Sequence, residues 1–253
     1  RLDHARSAGD GPRVARKASR DTRKAQAVRR RPGQWLARWV RRLAFALAGV
    51  LALWIAAYAV LPVPATPYML AERARHGTLD YHWTPMEDIA PAMARAAVAA
   101  EDANFCTHWG FDIAALRSAI EGGLRRGGST ISQQVVKNAF LWQGRSWPRK
   151  ALEALLTPVA EVAWSKRRIL EVYLNVAEFD TGVFGVGAAA RHYFDIAAVD
   201  LSMTQAARLA AILPDPKGRS AAAPSGFVER RAAAIRDGAA TIARDGRDAC
   251  FQG

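Results

Sequence analysis

The sequence has few cysteines and no long strand pattern, and both absences limit the folds and sites that it can form. Only Cys106 and Cys250 occur among the 253 residues. One pair permits a disulfide in an oxidising compartment but excludes a disulfide-dense framework. Cys106 and His108 lack a second Cys/His pair nearby, so packing or surface roles are favoured over a metal site. Successive helical patterns without sustained alternation predict a mostly α fold.

Acidic residues are also absent from one long stretch, residues 122–152, which lies between Glu121 and Glu153. The cationic residues of that stretch are Arg125, Arg126, Lys137, Arg145, Arg149 and Lys150. Six positive charges without a negative one indicate an acidic ligand, and a phosphate suits this arrangement better than a nucleic acid. The alternative is a solvated basic face.

The formal net charge of +13 belongs mostly to the N-terminal part of the chain. Residues 1–42 hold 14 of the 36 Lys/Arg and three of the 23 Asp/Glu, which leaves 22 against 20 in the remainder. The basic composition therefore does not indicate a nucleic-acid partner for the globular part. We expect residues 1–42 to form a basic cytoplasmic tail that is attracted to anionic lipid.

A single apolar run, Leu43–Leu61, contains 19 residues that are all apolar or glycine. At ~1.5 Å per residue it spans roughly 28 Å, enough to cross a bilayer core. The arginines immediately before it place the N-terminal side in the cytoplasm. The prediction is a transmembrane anchor at 43–61, a linker at 62–80 and a domain at 81–245 outside. A cleaved signal peptide ending near Ala59, or a buried core helix, are the alternatives.

Several helix starts are predicted from capping residues. They are the capping box Thr84–Glu87, Asp112 before Ile113–Glu121, Ser165 before Lys166–Val176, and the capping box Ser202–Gln205. Each has a side chain that can accept a hydrogen bond from a free amide of the first helical turn. Pro158 lies inside a strong helical pattern, so we expect a kink or a break there.

The adjacent carboxylates Glu101 and Asp102 end an alanine-rich helical run. Neighbouring residues point to different faces of a helix, so one can act as a base while the other holds the local turn or binds a cation. A base needs a raised pKa, which an apolar wall of Phe105, Trp109 and Phe111 could supply. The alternative is a solvated helix end.

A glycine pair, Gly127-Gly128, leads into a polar helix start. Free amides at a helix N-terminus attract phosphate, so this segment predicts an anion site. Thr130, Gln134 and Lys137 follow at helical spacing and would present polar groups from one stripe. The alternative is a capped surface helix. Glu153, three and four residues after Lys150 and Arg149, is either a surface ion pair or a second site carboxylate.

These segments together resemble the ordered motifs of the peptidoglycan glycosyltransferases. The first motif corresponds to Glu101-Asp102 with Phe105, His108, Gly110 and Asp112, and the second to Gly127-Gly128-Ser129-Thr130 through Gln133-Gln134 to Lys137-Asn138. The third corresponds to Arg149-Lys150 with Glu153, continued by Ser165-Lys166 and Ile169 to Asn175, the fourth to 182–194, and the fifth to 209–216. The type it most resembles is the monofunctional biosynthetic enzyme with one N-terminal helix. Neither Ser-x-x-Lys nor Lys-Thr-Gly occurs, so no transpeptidase domain is expected.

The resemblance implies a lysozyme-like helical domain that polymerises lipid II on a lipid-linked glycan strand. The new β-1,4 bond forms with inversion, and undecaprenyl pyrophosphate leaves. By the resemblance, Glu101 is the general base, and Glu153 is a second catalytic residue that assists in the donor region. Substrate or pyrophosphate would be bound by Asp102, Ser129, Thr130, Gln134, Lys137, Arg149 and Lys150. Phe105, His108, Gly110, Gly127, Gly128 and Asn175 would support the motifs.

The resemblance also implies a divalent cation, usually magnesium with manganese as an alternative, although no metal ligand is identified. The expected location is the bacterial inner membrane, with the catalytic domain in the periplasm. Cell-wall synthesis or division proteins are candidate partners. Two other functions remain open at this point: a lytic transglycosylase or lysozyme-like hydrolase, and a catalytically inactive membrane-anchored scaffold. The basic stretch 122–152 argues against the hydrolase, since hydrolysis needs no pyrophosphate site.

Overall fold

The computed structural model describes residues 32–121, 128–144 and 146–252. Helix α1, Pro32–Tyr58, comes first and begins before the apolar run predicted from Leu43. Within the described residues, Gln34–Tyr58 is the one helix that is long and apolar enough to cross a membrane. Its apolar side chains from Trp35 to Leu53 are largely exposed, which is consistent with a transmembrane anchor.

Trp54 and the residues after it form one compact unit that is built mostly of helices. The helices are α2 (Pro67–His76), α3 (Pro91–Glu101), α4 (Ile113–Glu121), α5 (Ile131–Phe140), α6 (Trp147–Ala163), α7 (Lys166–Val176), α8 (Val186–Phe194), α9 (Met203–Ile212), α10 (Gly226–Arg244) and α11 (Ala249–Gln252). The mostly α class is therefore confirmed. The predicted linker segment 62–80 includes all of α2.

The core lies between two groups of helices. Helices α3, α9 and α10 pack against one another, and α5 packs against α6 and α7. Three alanines of α3 (Ala94, Ala96 and Ala97) and all four alanines of α9 are buried, and such small side chains let neighbouring helices approach closely. Met93 on α3 and Leu209 on α9 fill the interior with no exposed surface. The two groups bring the end of α3 next to α5, where the candidate site lies.

The strands are short, as the lack of alternation predicted. Strand β1 (Asp80–Tyr81) pairs in parallel with β3 (Val183–Phe184), which pairs antiparallel with β2 (Glu178–Asp180). The order β1-β3-β2 joins the segment before α3 to the segment between α7 and α8. The pairing of β1 with β3 fixes the chain after α2 to the segment between α7 and α8.

Three of the predicted helix starts are confirmed. Asp112 Oδ1 accepts a hydrogen bond from the Ala115 amide at 2.8 Å at the start of α4. Ser165 caps α7, and Ser202 forms a capping box with Gln205 at α9. These starts depend on contacts within one turn of chain, which is why the local sequence is enough to predict them.

The capping box predicted at Thr84 is wrong. Thr84 instead donates its backbone N–H to Asn175 Oδ1 at 2.7 Å and accepts from Asn175 Nδ2 at 2.8 Å. The Met86 amide donates to Glu171 Oε1 at 3.0 Å, and a short 3-10 turn, Met86–Asp88, precedes α3. Side chains from α7 thus replace the local cap.

Of the kink or break predicted at Pro158, the break does not occur, because α6 continues from Trp147 to Ala163. Proline lacks an amide proton, so one backbone hydrogen bond of the helix is lost. The preceding residue, Thr157, donates its hydroxyl to the Glu153 carbonyl at 2.7 Å. Glu153 therefore remains on an uninterrupted helix.

Candidate active site

Glu101 is the last residue of α3, and its carboxylate meets side chains from two other helices. Gln134 Nε2 on α5 donates to Glu101 Oε2 at 3.0 Å. A guanidinium nitrogen of Arg231 on α10 lies 3.6 Å from Glu101 Oε1. Oε1 is itself buried and has no hydrogen-bond partner among the described residues. The carboxylate is therefore oriented from two sides while one oxygen keeps its capacity to accept a proton.

The partners of Glu101 are polar, whereas the sequence predicted an aromatic wall of Phe105, Trp109 and Phe111. Trp109 is 69% exposed, and Phe105 is fully buried with its ring beside that of Phe251. The side chain of Trp109 therefore faces solvent, and that of Phe105 packs against the C-terminal segment. The structure orients Glu101 through hydrogen bonding and charge instead.

Asp102 has a separate role inside the protein, as expected for the neighbour of Glu101. Its side chain is buried, with Oδ1 2.8 Å from His108 Nε2 and Oδ2 accepting from the Ile131 amide at 3.0 Å. Both carboxylate oxygens of Asp102 have protein partners, so its side chain does not face a ligand. This differs from the predicted role in binding substrate or pyrophosphate. Asp102 joins the loop after α3 to the first turn of α5, and so positions Glu101 relative to Gln134.

The start of α5 is not the phosphate site that the sequence predicted. Thr130 caps the helix and forms a capping box with Gln133, and the Ile131 amide is bound by Asp102. Thr130 is buried and donates its hydroxyl to the Gly110 carbonyl at 2.6 Å. A carboxylate at a helix N-terminus is favourable, so Asp102 occupies the place of the expected anion. Of the predicted stripe, Gln134 and Lys137 alone line the cleft described below.

Gly110 is required at its position by both conformation and space. Its φ is +77°, and a Cβ there would lie 2.6 Å from Thr157 Cγ2. Glycine alone adopts this region without strain and permits this approach. Gly110 thereby brings the loop after α3 against α6. Gly128 follows the undescribed segment 122–127, and the prediction for Gly127 lies outside the described residues, as do Arg125, Arg126 and Arg145.

Glu153 forms a buried ion-pair group at the start of α6. Its carboxylate is 2% exposed and accepts from Arg149 at 2.8 Å and from Lys150. Lys150 also donates to Ser129 Oγ at 3.1 Å, and Arg149 Nε donates to the Gly144 carbonyl at 2.7 Å. The helical spacing is that of a surface pair, but the burial is not. Glu153 therefore holds two predicted phosphate-binding cations in place.

Lys137 carries a positive charge in a partly buried position. Burial lowers the pKa of Lys137 below its usual value of 10.5. Glu153 opposes this effect, whereas the cations Arg149 and Lys150 add to it. An ammonium group that is short of water and close to other cations is suited to an anionic ligand, because such a ligand restores the lost solvation.

A cleft of about 350 Å³ opens beside these groups. Its lining comes from α2, α5, α7 and the segment after α9 and comprises Tyr68, Gln134, Lys137, Asn138, Gln143, Tyr173, Ala177, Glu178, Leu213, Pro214, Asp215, Pro216 and Lys217. Gln134 is shared between the cleft and the carboxylate of Glu101. A second cavity of about 300 Å³ lies at Ser146, Trp147, Arg149 and Lys150. The site thus offers a carboxylate and cations next to open volume.

One end of the cleft holds a charged cluster that the sequence motifs did not indicate. Lys217 binds both Glu72 and Glu178, and Tyr68 donates its hydroxyl to Glu178. Burial raises the pKa of Glu72, but hydrogen bonds from Lys217 and Arg75 outweigh it, so the pKa lies below its usual 4.5. The cluster fastens α2 to the segment after α9.

The chain is similar to known proteins over most of its length. A family model described as "Transglycosylase" matches residues 70–239, which include Glu101, Lys137 and Glu153. The chain belongs to the transglycosylase family. The biosynthetic peptidoglycan transglycosylase of Jannaschia sp. (strain CCS1) is 57% identical over 237 residues, 94% of this chain and 98% of that protein. Those of Caulobacter vibrioides and Yersinia pestis (strain Pestoides F) are 44% and 50% identical, over 86% and 72% of this chain and 99% and 82% of theirs.

Membership of the transglycosylase family confirms the resemblance stated for the sequence motifs and the expectation of a glycosyltransferase enzyme. Asn175, one of the predicted supporting residues, is fully buried and holds Thr84 by two hydrogen bonds. His108 and Phe105 support the loop after α3 in the same way, through Asp102 and Phe251. The contacts of these three residues support the backbone around the site, and none of the three lines the cleft.

Arg231 is the site residue of this transglycosylase that the sequence reasoning missed. On α10 it follows Val228 by three positions and precedes Ile235 by four, and both of those side chains are buried. Arg231 therefore lies on the apolar face of its helix. A charged residue at such a position is the signal that could have identified it.

The donor set does not fit a metal ion held by the protein alone. Within residues 32–121, 128–144 and 146–252 there is no group of three or more His, Cys, Asp or Glu that could hold one. The oxygens of Asp102 and Glu153 are bound to protein donors. A magnesium site usually combines one or two carboxylates with substrate phosphate, so the ligand would have to supply most of the oxygens.

Proposed function

We propose that this transglycosylase polymerises lipid II by inverting β-1,4 glycosyl transfer to a lipid-linked glycan strand, with release of undecaprenyl pyrophosphate. The relatives named above are biosynthetic peptidoglycan transglycosylases, which favours transfer over hydrolysis. The observation that carries the proposal is the carboxylate of Glu101, which keeps one oxygen without a hydrogen-bond partner among the described residues and is held by Gln134, a residue that lines the cleft together with Lys137. A base next to a cation is what glycosyl transfer from a pyrophosphate requires.

In the proposed reaction, Glu101 Oε1 takes the proton from the acceptor sugar's 4-hydroxyl as that oxygen attacks the donor's anomeric carbon. Gln134 and Arg231 hold the carboxylate, so it does not need to reorganise during the step. The bond from the anomeric carbon to the pyrophosphate oxygen breaks with inversion. The hydroxyl proton remains on Glu101 until it is lost to solvent.

Pyrophosphate leaves with negative charge, which Lys137 and the Arg149–Lys150–Glu153 group are placed to stabilise. Arg149 and Lys150 both pair with Glu153, and the three side chains together carry one formal net positive charge. We propose that a divalent cation, magnesium or manganese, arrives with the pyrophosphate. The side chains of the described residues do not form a site for this cation by themselves.

The proposed location is the bacterial inner membrane, with the N-terminal tail in the cytoplasm and the domain in the periplasm. Three observations support it: the apolar helix, the arginines at its N-terminal end and the disulfide between Cys106 and Cys250. Disulfides persist in oxidising compartments, and lipid-linked substrates require an enzyme at the membrane surface. Proteins of wall synthesis or division are the proposed partners.

The test is polymer formation from labelled lipid II by the full chain in detergent with magnesium. Glu101→Gln keeps the size of the side chain and an oxygen that can accept from Gln134 but removes the base, so we expect at least 100-fold less polymer. Glu87→Gln is the matched control, since Glu87 is 71% exposed at the side chain and should leave the rate unchanged.

Absence of polymer from folded wild-type protein, with manganese also tried, would contradict the proposed function. Polymer from both wild type and Glu101→Gln would preserve the function and remove Glu101 as its base. Release of soluble fragments from preformed glycan, without growth, would indicate a hydrolase.

A further inference from the structure

The C-terminal segment Asp245–Gln252, here called the clasp, is joined to the loop after α3 by a disulfide between Cys250 and Cys106. Phe251 beside it has no exposed surface, and its ring lies 6.3 Å from that of Phe105 in the same loop. Arg167 on α7 donates to the Phe251 carbonyl at 3.4 Å. The clasp is therefore packed into the domain as well as covalently attached.

The clasp contacts the chain on both sides of Glu101. Before Glu101, Arg95 on α3 pairs with Asp248 at 3.3 Å. After it, the Ala103 carbonyl accepts from Arg247 at 3.1 Å. Both pairs are partly exposed, so each contributes little by itself. The disulfide keeps them together, because it prevents the last turn of the chain from separating from this loop.

The loop held by the clasp determines where the catalytic carboxylate lies. It carries Asp102 and His108, and Asp102 binds the first amide of α5, the helix that presents Gln134 to Glu101. The clasp also follows α10 directly, and α10 carries Arg231. Both groups that orient Glu101 are thus connected to the disulfide through short, packed segments.

We propose that the Cys106–Cys250 disulfide and the clasp act as a positioning device for Glu101, so that loss of the disulfide slows the chemical step while substrate binding is retained. This rests on the proposed function, because the rate in question is that of glycan polymerisation. Among the described residues, Lys137 and Arg149 form no hydrogen bond or ion pair with the clasp, and KM should therefore change little. Cys106 and Cys250 are both partly exposed, so a reductant can reach the bond.

The test compares the full chain in detergent with the double variant Cys106→Ala/Cys250→Ala at 20 °C. We expect kcat to fall about tenfold with KM within twofold, while circular dichroism shows that the helices are retained. Reduction of the wild type by dithiothreitol converts the disulfide to two thiols and should produce the same loss. Reoxidation by oxidised glutathione should restore kcat.

A second variant leaves the disulfide intact. Arg247→Ala removes the contact with the Ala103 carbonyl and should lower kcat about threefold. Arg244→Ala, at an exposed position near the end of α10 that contacts only Thr241 among the described residues, should have no effect. If kcat of the double variant equals that of wild type at 20 °C and only the melting temperature falls, the disulfide stabilises the domain without positioning Glu101, and the proposal is overturned.

Hydrogen exchange distinguishes failure of this proposal from failure of the proposed function. Amides of residues 102–110 should exchange faster in the double variant than in wild type, even if no polymer forms under any condition. Unchanged protection of that loop would overturn the clasp proposal whatever the enzyme's activity.

Discussion

Arg231 and Glu101 lie on different helices, and a guanidinium nitrogen of Arg231 lies 3.6 Å from Oε1 of Glu101. This oxygen has no hydrogen-bond partner among the described residues. Gln134 holds the other oxygen. Arg231 brings positive charge to Oε1 without donating a hydrogen bond to it, so this oxygen keeps its capacity to accept a proton. We therefore propose that Arg231 is a positioning residue for Glu101, the proposed base.

Replacement of this cation should impair catalysis. For Arg231→Gln we expect kcat to fall by 10- to 100-fold, equivalent to about 1.4–2.7 kcal/mol of transition-state stabilisation. Arg230→Gln, an exposed neighbour on the same helix, removes the same charge and should have no effect. The measurement is lipid II polymerisation under saturating substrate. Equal rates for both variants would show that the contact with Glu101 has no catalytic role.

The native side chain of Lys137 is expected to increase the rate of polymerisation and to lower the stability of the folded protein. Burial lowers its pKa, so the unfolded chain holds the proton more strongly and the charged side chain destabilises the folded state near neutral pH. Lys137→Met should raise the free energy of unfolding by about 1 kcal/mol and the melting temperature by about 3 °C, while polymerisation falls by at least 100-fold.

Lys150→Met is the control for this change, because Lys150 pairs with the buried Glu153. Its removal leaves Glu153 with fewer donors, so the melting temperature should fall instead of rise. Thermal unfolding in detergent, followed by circular dichroism, measures both. A lower melting temperature for Lys137→Met would contradict this account of Lys137.

Gly110 allows a test of close packing apart from backbone conformation. Gly110 and Gly77 have φ values of +77° and +78°, but a Cβ at Gly77 meets nothing within 4 Å, whereas at Gly110 it meets Thr157 at 2.6 Å. Gly77→Ala should therefore reduce the free energy of unfolding by about 1 kcal/mol through strain alone. Gly110→Ala should reduce it by about 3 kcal/mol, because the buried Thr157 has to move. Equal losses in denaturant unfolding would indicate that the loop adjusts freely.

Glu72 should make stability depend on pH in the acidic range. Its folded pKa lies below 4.5, so its stabilising pairs are fully formed above that pH and are lost as the pH falls through the folded pKa. Glu72→Gln should lower the melting temperature by about 5 °C at pH 7, consistent with about 2 kcal/mol for a buried carboxylate whose partner Lys217 is partly exposed. The difference from wild type should shrink as the pH falls below 4.5 and through the folded pKa of Glu72. A difference independent of pH, or one shared by Glu87→Gln, would contradict this assignment.

Much of the fold was predictable because its determinants are local. Asp112, Ser165 and Ser202 cap the helices that follow them, and each cap joins groups within a single turn. The prediction at Thr84 failed where a distant side chain, Asn175, competed for the same backbone groups. Pro158 did not end its helix, since the packing of α6 outweighs the loss of one hydrogen bond.

The sequence by itself determined the apolar helix, the helical class and the identity of the residues that carry charge at the site, since periodicity and residue type are properties of the chain alone. Tertiary structure decided what those residues contact. It directed Asp102 and Thr130 inwards, brought Arg231 to Glu101, and paired Cys106 with Cys250. Contacts between residues far apart in sequence depend on how the helices pack, and no local pattern encodes that arrangement.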